Sequence, residues 1–189
     1  MAGAAARGFF GKLPARGDFL TRGLPRGFVD PWAAWAARAI SASRDLVGER
    51  WLEAWMVGPV WRFALPGGAC GPDAAVGLAM PSVDKVGRTF FLMAAALFAG
   101  EAATPSAEDA EDFLDAAEDA AREAIALDLD PEWLAGRIAE APEPRFYRDG
   151  TEARWWTEGG PGVEAATHAF PGLPPMPAWA GMIAGGGAA

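Results

Sequence analysis

The stretch Ala75–Phe98, AVGLAMPSVDKVGRTFFLMAAALF, holds two apolar runs separated by a short polar segment. Ala75–Met80 reads as a strand, Pro81–Gly87 as a loop, and Arg88–Phe98 as a long central strand. A helical crossover takes roughly a dozen residues or more, so this connection makes the two strands antiparallel neighbours. Upstream, Val60–Leu65 alternates in the β manner and reaches the first run through the turn-rich PGGACGP. It joins the same sheet by the same reasoning.

Working outward, Arg7–Leu13 reads as a first strand, Pro14 and Gly17 as a turn, and Asp18–Leu20 as a return to extended chain. A helix begins around Pro25–Gly27. Phe28, Trp32, Trp35 and Ala39 recur at helical spacing on one face, and Asp30 before Pro31 is a cap pair that places the regular helix there. It ends near Gly48. Glu49–Val57 forms a second helix with Trp51, Leu52, Trp55 and Met56 on one side, closed by Gly58-Pro59. From about Pro105 a long helix carries Phe113, Leu114, Ala117, Ala121, Ala124 and Ile125 as its apolar stripe. Asp130-Pro131 starts another, Pro131–Glu140. Glu152–Thr157 and Val163–Phe170 are strands joined through GGPG, and Ala178–Ile183 is a closing helix. The expectation is an α+β chain. It is an α/β/α sandwich-like single domain over 1–189, with a largely antiparallel sheet of about six strands flanked by helices. Within it, 101–140 is a helical segment and 141–189 a hairpin with a C-terminal helix.

With 51% hydrophobic residues in 189, the chain has a core to build and is no disordered acidic tail. Its net charge of −9 is unevenly placed. Residues 101–130 hold eleven acids and one Arg, a net of −10, whereas residues 1–62 hold nine bases and five acids, a net of +4. This balance, with no nucleic-acid-binding motif, argues against nucleic acid as a partner. The longest apolar run, Thr89–Ala99, falls short of the about 20 residues of a membrane span, so no membrane insertion is expected. The N-terminus has no secretory pattern, and the expected location is the cytoplasm.

Candidate chemistry is sparse. Gly8-Phe9-Phe10-Gly11-Lys12 lacks the spacing and the following Ser or Thr of a phosphate loop. Single residues of each kind, Cys70 and His168, are the material for a nucleophilic pair, but a lone Cys is ordinarily a small buried hydrophobe. No catalytic set, metal or cofactor is expected. The polar loop Pro81–Arg88 holds Ser82, Asp84, Lys85 and Arg88 beside apolar strands, which reads first as Asp84 held by Arg88 or by backbone. Arg16-Gly17-Asp18 reads as a turn with flanking charges, with Asp18 capping it or pairing with an Arg such as Arg62. On the long helix, Glu111, Asp112, Asp115, Glu118 and Asp119 form an acidic face. It serves solubility, or docking of a basic partner.

The run GFFGKLPARGDFLTRGLPRGFVDPWAAWAARAI, then GERWLEAW, PVWRFAL and MPSVDKVGRTFFL, resembles the TagF (ImpM) family of type VI secretion accessory proteins. The close match covers Gly8–Leu92, with 7–100 the most specific region. Phe91 departs from the pattern, which usually has Pro there. Some relatives carry a fused phosphatase domain; none is expected within these 189 residues, which are too few for one and lack its acidic metal motifs. The resemblance implies a post-translational repressor of secretion acting through a partner, the forkhead-associated scaffold protein. The matching positions Lys12, Asp18, Arg62, Ser82, Asp84 and Arg88, with Arg16 beside them, are then a structural and binding constellation.

Two expectations of different class follow: a non-enzymatic interaction protein, and a small-ligand sensor or enzyme using Lys12, Asp18, Ser82, Asp84 and Arg88. A deep pocket where those groups converge favours the second; a filled clasp of ion pairs favours the first.

Overall fold

In a computed structural model that describes residues 3–14 and 16–185, the chain runs through nine strands and five α-helices. These are β1 (Ala6–Gly11), β2 (Leu20–Arg22), α1 (Arg26–Val47), α2 (Trp51–Met56), β3 (Trp61–Leu65), β4 (Ala74–Val83), β5 (Thr89–Phe98), β6 (Thr104–Pro105), α3 (Glu111–Ala126), α4 (Pro131–Glu140), β7 (Arg148–Gly150), β8 (Ala153–Thr157), β9 (Ala166–Phe170) and α5 (Met176–Ala184). The main sheet has seven strands in the order β2-β1-β5-β4-β3-β8-β9, every neighbouring pair antiparallel. β4 and β5 are its centre, paired from Ala74↔Phe98 to Val83↔Thr89.

Period-two alternation divides β5 between two cores. Phe91, Met93, Ala95 and Leu97 face α1, α2 and α5; Leu92, Ala94, Ala96 and Phe98 face α3 and α4. Both faces are covered, so both central strands read as unbroken apolar runs. The first core is aromatic: Trp32, Trp35, Trp155 and Trp179 pack with ring centroids 5.2–6.0 Å apart. The second is built on alanines of α3, with Phe113, Leu114, Leu134 and Ile138. The α/β/α sandwich with a largely antiparallel sheet is thus as expected.

Details differ from the sequence reading. The extended piece near Asp18–Leu20 becomes β2 and brings the main sheet to seven strands, and β6 with β7 forms a separate two-stranded sheet. β4 continues through Pro81 to Val83, because β3 ends its pairing at Ala79 and the missing Pro N–H falls where one edge of β4 has no β3 partner. α1 starts at Arg26, with Pro31 inside it and no side-chain cap from Asp30. Pro31 removes the N–H that would bond the Gly27 carbonyl, and Gly71, having no Cβ, packs against that carbonyl. Leu52 and Met56 are exposed, because Trp51 and Trp55 already fill the buried side of the short α2. Pro105 belongs to β6, a 3-10 turn precedes α3, and β9 begins at Ala166. Asp130-Pro131 starts α4 as expected, and the Asp130 side chain caps it, accepting from Glu132 N at 2.8 Å with Pro131 in the first turn.

Candidate functional site

β1 ends at Gly11, whose φ of 144° and lack of a Cβ bring the chain against the Phe91 carbonyl. Lys12 N donates to that carbonyl at 3.1 Å, and the Lys12 side chain is directed beneath the turn that follows β4. There Lys12 Nζ and Arg88 Nε each donate to Asp84 Oδ2 at 2.6 Å. Asp84 Oδ1 accepts the backbone N–H groups of Val86 at 3.0 Å and Arg88 at 2.9 Å. Asp84 N donates to the Arg88 carbonyl and Gly87 N to the Asp84 carbonyl, closing the turn. Ser82 Oγ donates to Lys12 O at 2.8 Å, and Trp55 Nε1 to Ser82 O at 3.2 Å. Arg88 Nη2 donates to Gly17 O at 2.7 Å, and Lys85 N to Arg16 O at 3.3 Å.

Lys12, Ser82, Asp84 and Arg88 therefore form one clasp that joins the segment after β1 to the β4–β5 turn. The Asp84 side chain has no solvent exposure. Burial alone would raise its carboxyl pKa, but the bond from Lys12, then those from Arg88 and Val86, outweigh it and hold the carboxyl well below the usual range. A buried carboxylate with both oxygens filled by four donors stays ionised and holds geometry; it is poorly placed to take a proton from a substrate. Lys12 Nζ also lies 4.9 Å from the centre of the Phe19 ring.

Other expected site residues lie elsewhere. Asp18 is exposed and outside the clasp. Arg16 pairs at 3.1 Å with Asp130, both exposed. Arg62 does not meet Asp18. It reaches from β3 to α3, donating from Nη2 to Asp115 Oδ1 at 2.7 Å and from Nε to Glu118 Oε2 at 3.0 Å. Burial would lower the Arg62 pKa, but these two carboxylates raise it. Glu118 also accepts from Arg122. The acidic face is thereby divided: Asp115 and Glu118 tie α3 to β3, whereas Glu111, Asp112 and Asp119 are exposed and make no ion pair among the described residues.

Cys70 is buried, which pushes its thiol up to about 12, and its Sγ lies 3.5 Å from the Phe28 carbonyl. His168 packs between the rings of Trp61 and Phe170. The two are not hydrogen-bonded to each other. Among the described residues no group of three or more His, Cys, Asp or Glu is placed to hold a metal, and no helix is long and apolar enough to cross a membrane.

One arrangement escaped the sequence reading. Arg44, Trp51 and Thr89 meet at the end of α1, although Arg44 and Thr89 are 45 residues apart and Arg44 lies in none of the stretches that carry the resemblance. Periodicity marked Trp51 only as a core residue.

Comparison with known proteins agrees with this architecture. The TagF N-terminal domain family, described as type VI secretion system-associated, matches residues 8–141. The crystal structure of PA0076 from Pseudomonas aeruginosa PAO1 superposes with a TM-score of 0.81 at 30% identity, covering 94% of this chain and 93% of that one. Among curated proteins no sequence matches significantly.

Proposed function

The chain belongs to the TagF N-terminal domain family of type VI secretion system-associated proteins, and from that premise we propose that it is a non-enzymatic regulator. It acts in the cytoplasm as a post-translational repressor, by binding a component of the secretion system such as the forkhead-associated scaffold protein. The observation that carries this reading is the filled clasp. The polar groups that would have to serve catalysis or ligand sensing, Lys12, Ser82, Asp84 and Arg88, bond one another and the backbone. The sandwich is then a rigid carrier of surfaces, which suits a binding protein better than an enzyme.

The exposed part of α3, Glu111, Asp112 and Asp119, is the surface to which a basic patch of the partner would be steered. The test is a pull-down of the purified scaffold protein by the full chain at low salt. Retention is expected, weakened severalfold by the triple replacement of Glu111→Gln, Asp112→Asn and Asp119→Asn. Unchanged retention by that variant reduces α3 to a solubility face, and failure to retain the scaffold or any other purified secretion component overturns repression by binding.

A further inference from the structure

Near the C-terminal end of α1, the Arg44 guanidinium lies 4.5 Å from the centre of the Trp51 ring. Its Nη2 donates to Thr89 Oγ1 at 3.1 Å. The indole beneath it is itself fixed: Trp51 Nε1 donates to the buried Ser43 Oγ at 2.8 Å, which donates to the Ile40 carbonyl at 3.0 Å. An ordinary surface arginine samples many rotamers. This one is held from below and from the side, yet it pairs with no carboxylate among the described residues. A helix C-terminus favours a nearby cation, which accounts for the charge of Arg44 but not for the Trp51 shelf or the Thr89 contact.

Arg88 lines the same cleft. Its position is set by Asp84 through Nε and by Gly17 O through Nη2. Asp84 is shared between two cations, Lys12 and Arg88, so the clasp carries one positive charge in excess. The cleft has a volume of about 540 Å³. Gly48 and Gly87, with φ of 70° and 79°, form part of its lining and open onto free space. Leu52 stands on the lining with 55% exposure. Two preorganised guanidinium forks, a hydroxyl and an adjoining apolar surface are what an oxyanion on an apolar chain requires. The volume far exceeds one such ion.

We infer that this cleft binds an acidic peptide segment, seating an oxyanion between Arg44 and Arg88 beside Thr89 and a neighbouring apolar residue on Leu52. Glu49, the one anionic side chain on the lining, holds the affinity down. The site does not depend on which secretion component the chain binds. It is built where the α1–α2 junction meets the β4–β5 turn, and α1 and α2 lie on the other face of the sheet from α3.

The test is an anisotropy titration of the full chain, at low salt, with a fluorescein-labelled peptide Ala-Leu-Glu-Glu-Leu-Ala. Its comparators are the same peptide with Gln for both Glu, the same peptide with phosphoserine for the first Glu, and inorganic phosphate as competitor. One of the two anionic peptides is expected to bind at least about tenfold more tightly than the Gln peptide, and which of them binds better assigns the oxyanion as carboxylate or phosphate. Arg44→Met is expected to weaken that binding about tenfold, Arg44→Lys to restore part of it, and Glu49→Gln to strengthen it. Equal binding of the Gln peptide, no binding of either anionic peptide, indifference to Arg44→Met, or weakening by Glu49→Gln overturns the inference. So does inorganic phosphate competing as strongly as the peptide. Scaffold retention in the pull-down with no peptide binding here separates this failure from that of the repressor reading.

Discussion

Asp84 is the residue on which the two turns at one end of the sheet depend. An aspartyl carboxyl ordinarily titrates near 3.8, and in the clasp its pKa is depressed by the Lys12 and Arg88 bonds despite burial. A folded-state value below the unfolded one means that the ionised form stabilises the fold. That contribution is present in full above the unfolded value and is lost as pH falls through it toward the folded value. Asp84→Asn is therefore expected to lower Tm at pH 7 by on the order of 10 °C, since it leaves Lys12 buried without its counter-ion. Calorimetry from pH 7 to pH 2.5 should show the gap between the two proteins narrowing below about pH 4. A gap that stays constant across that range would mean the charge of Asp84 is not what holds the clasp. Clustering of Ser, Asp, Lys and Arg marked the 81–88 loop as informative in the sequence, and the Asp84–Arg88 and Asp84–backbone contacts followed from their spacing. That Lys12 completes the site, and that Asp18 and Arg62 do not, follows from strand pairing that brings residues 72 positions apart into contact.

At the scale of elements, the central hairpin tolerates little added volume. Gly77 sits mid-way along β4, where a Cβ would run into the Ala94 carbonyl and the Phe63 ring. Gly77→Ala is expected to cost about 1–3 kcal/mol by overpacking, read from urea unfolding. A neutral result would show that both the Phe63 ring and the β5 backbone at Ala94 give way freely. Strongly periodic or capped elements such as α3 and α4 were legible, because amphipathic spacing and an Asp-Pro start act locally. The start of α1 around Pro25–Gly27 was legible too, but the place of Pro31 was not: it lies inside the helix rather than in a first turn capped by Asp30, with Gly71 packed beside the Gly27 carbonyl that the missing Pro31 N–H leaves free. β6 and β7, two and three residues long, carry no pattern a sequence could display. Leu52 and Met56 were misplaced because period alone does not say how wide the buried side of a six-residue helix is.

At the scale of the whole molecule, two cores share one sheet. β4 and β5 give alternate residues to each, so neither core survives loss of the other's half of those strands. A single cooperative transition is expected in urea. Tryptophan fluorescence, which reports mainly the first core because seven of the nine tryptophans lie in it, should coincide with far-UV circular dichroism. Separate midpoints would show that the α3–α4 layer unfolds on its own. The net charge of −9 also resolves at this scale. α3 spends Asp115 and Glu118 on Arg62, so its free acidic face is smaller than the −10 of its segment suggests. Arg44, which makes no ion pair among the described residues, lies on α1 in the opposite layer, and the clasp's excess charge lies at the end of the sheet beside it.

By itself the sequence determined the α+β class, the antiparallel centre, the helices with strong periodicity, and the family, because these rest on short-range patterns and on runs of residues read in order. Tertiary structure alone decided the seven-stranded order, the membership of the clasp, the division of the acidic face, and the meeting of Arg44 with Thr89. Each of those depends on which residues distant in the chain share a position across the sheet, and pairing register, rather than local composition, sets that.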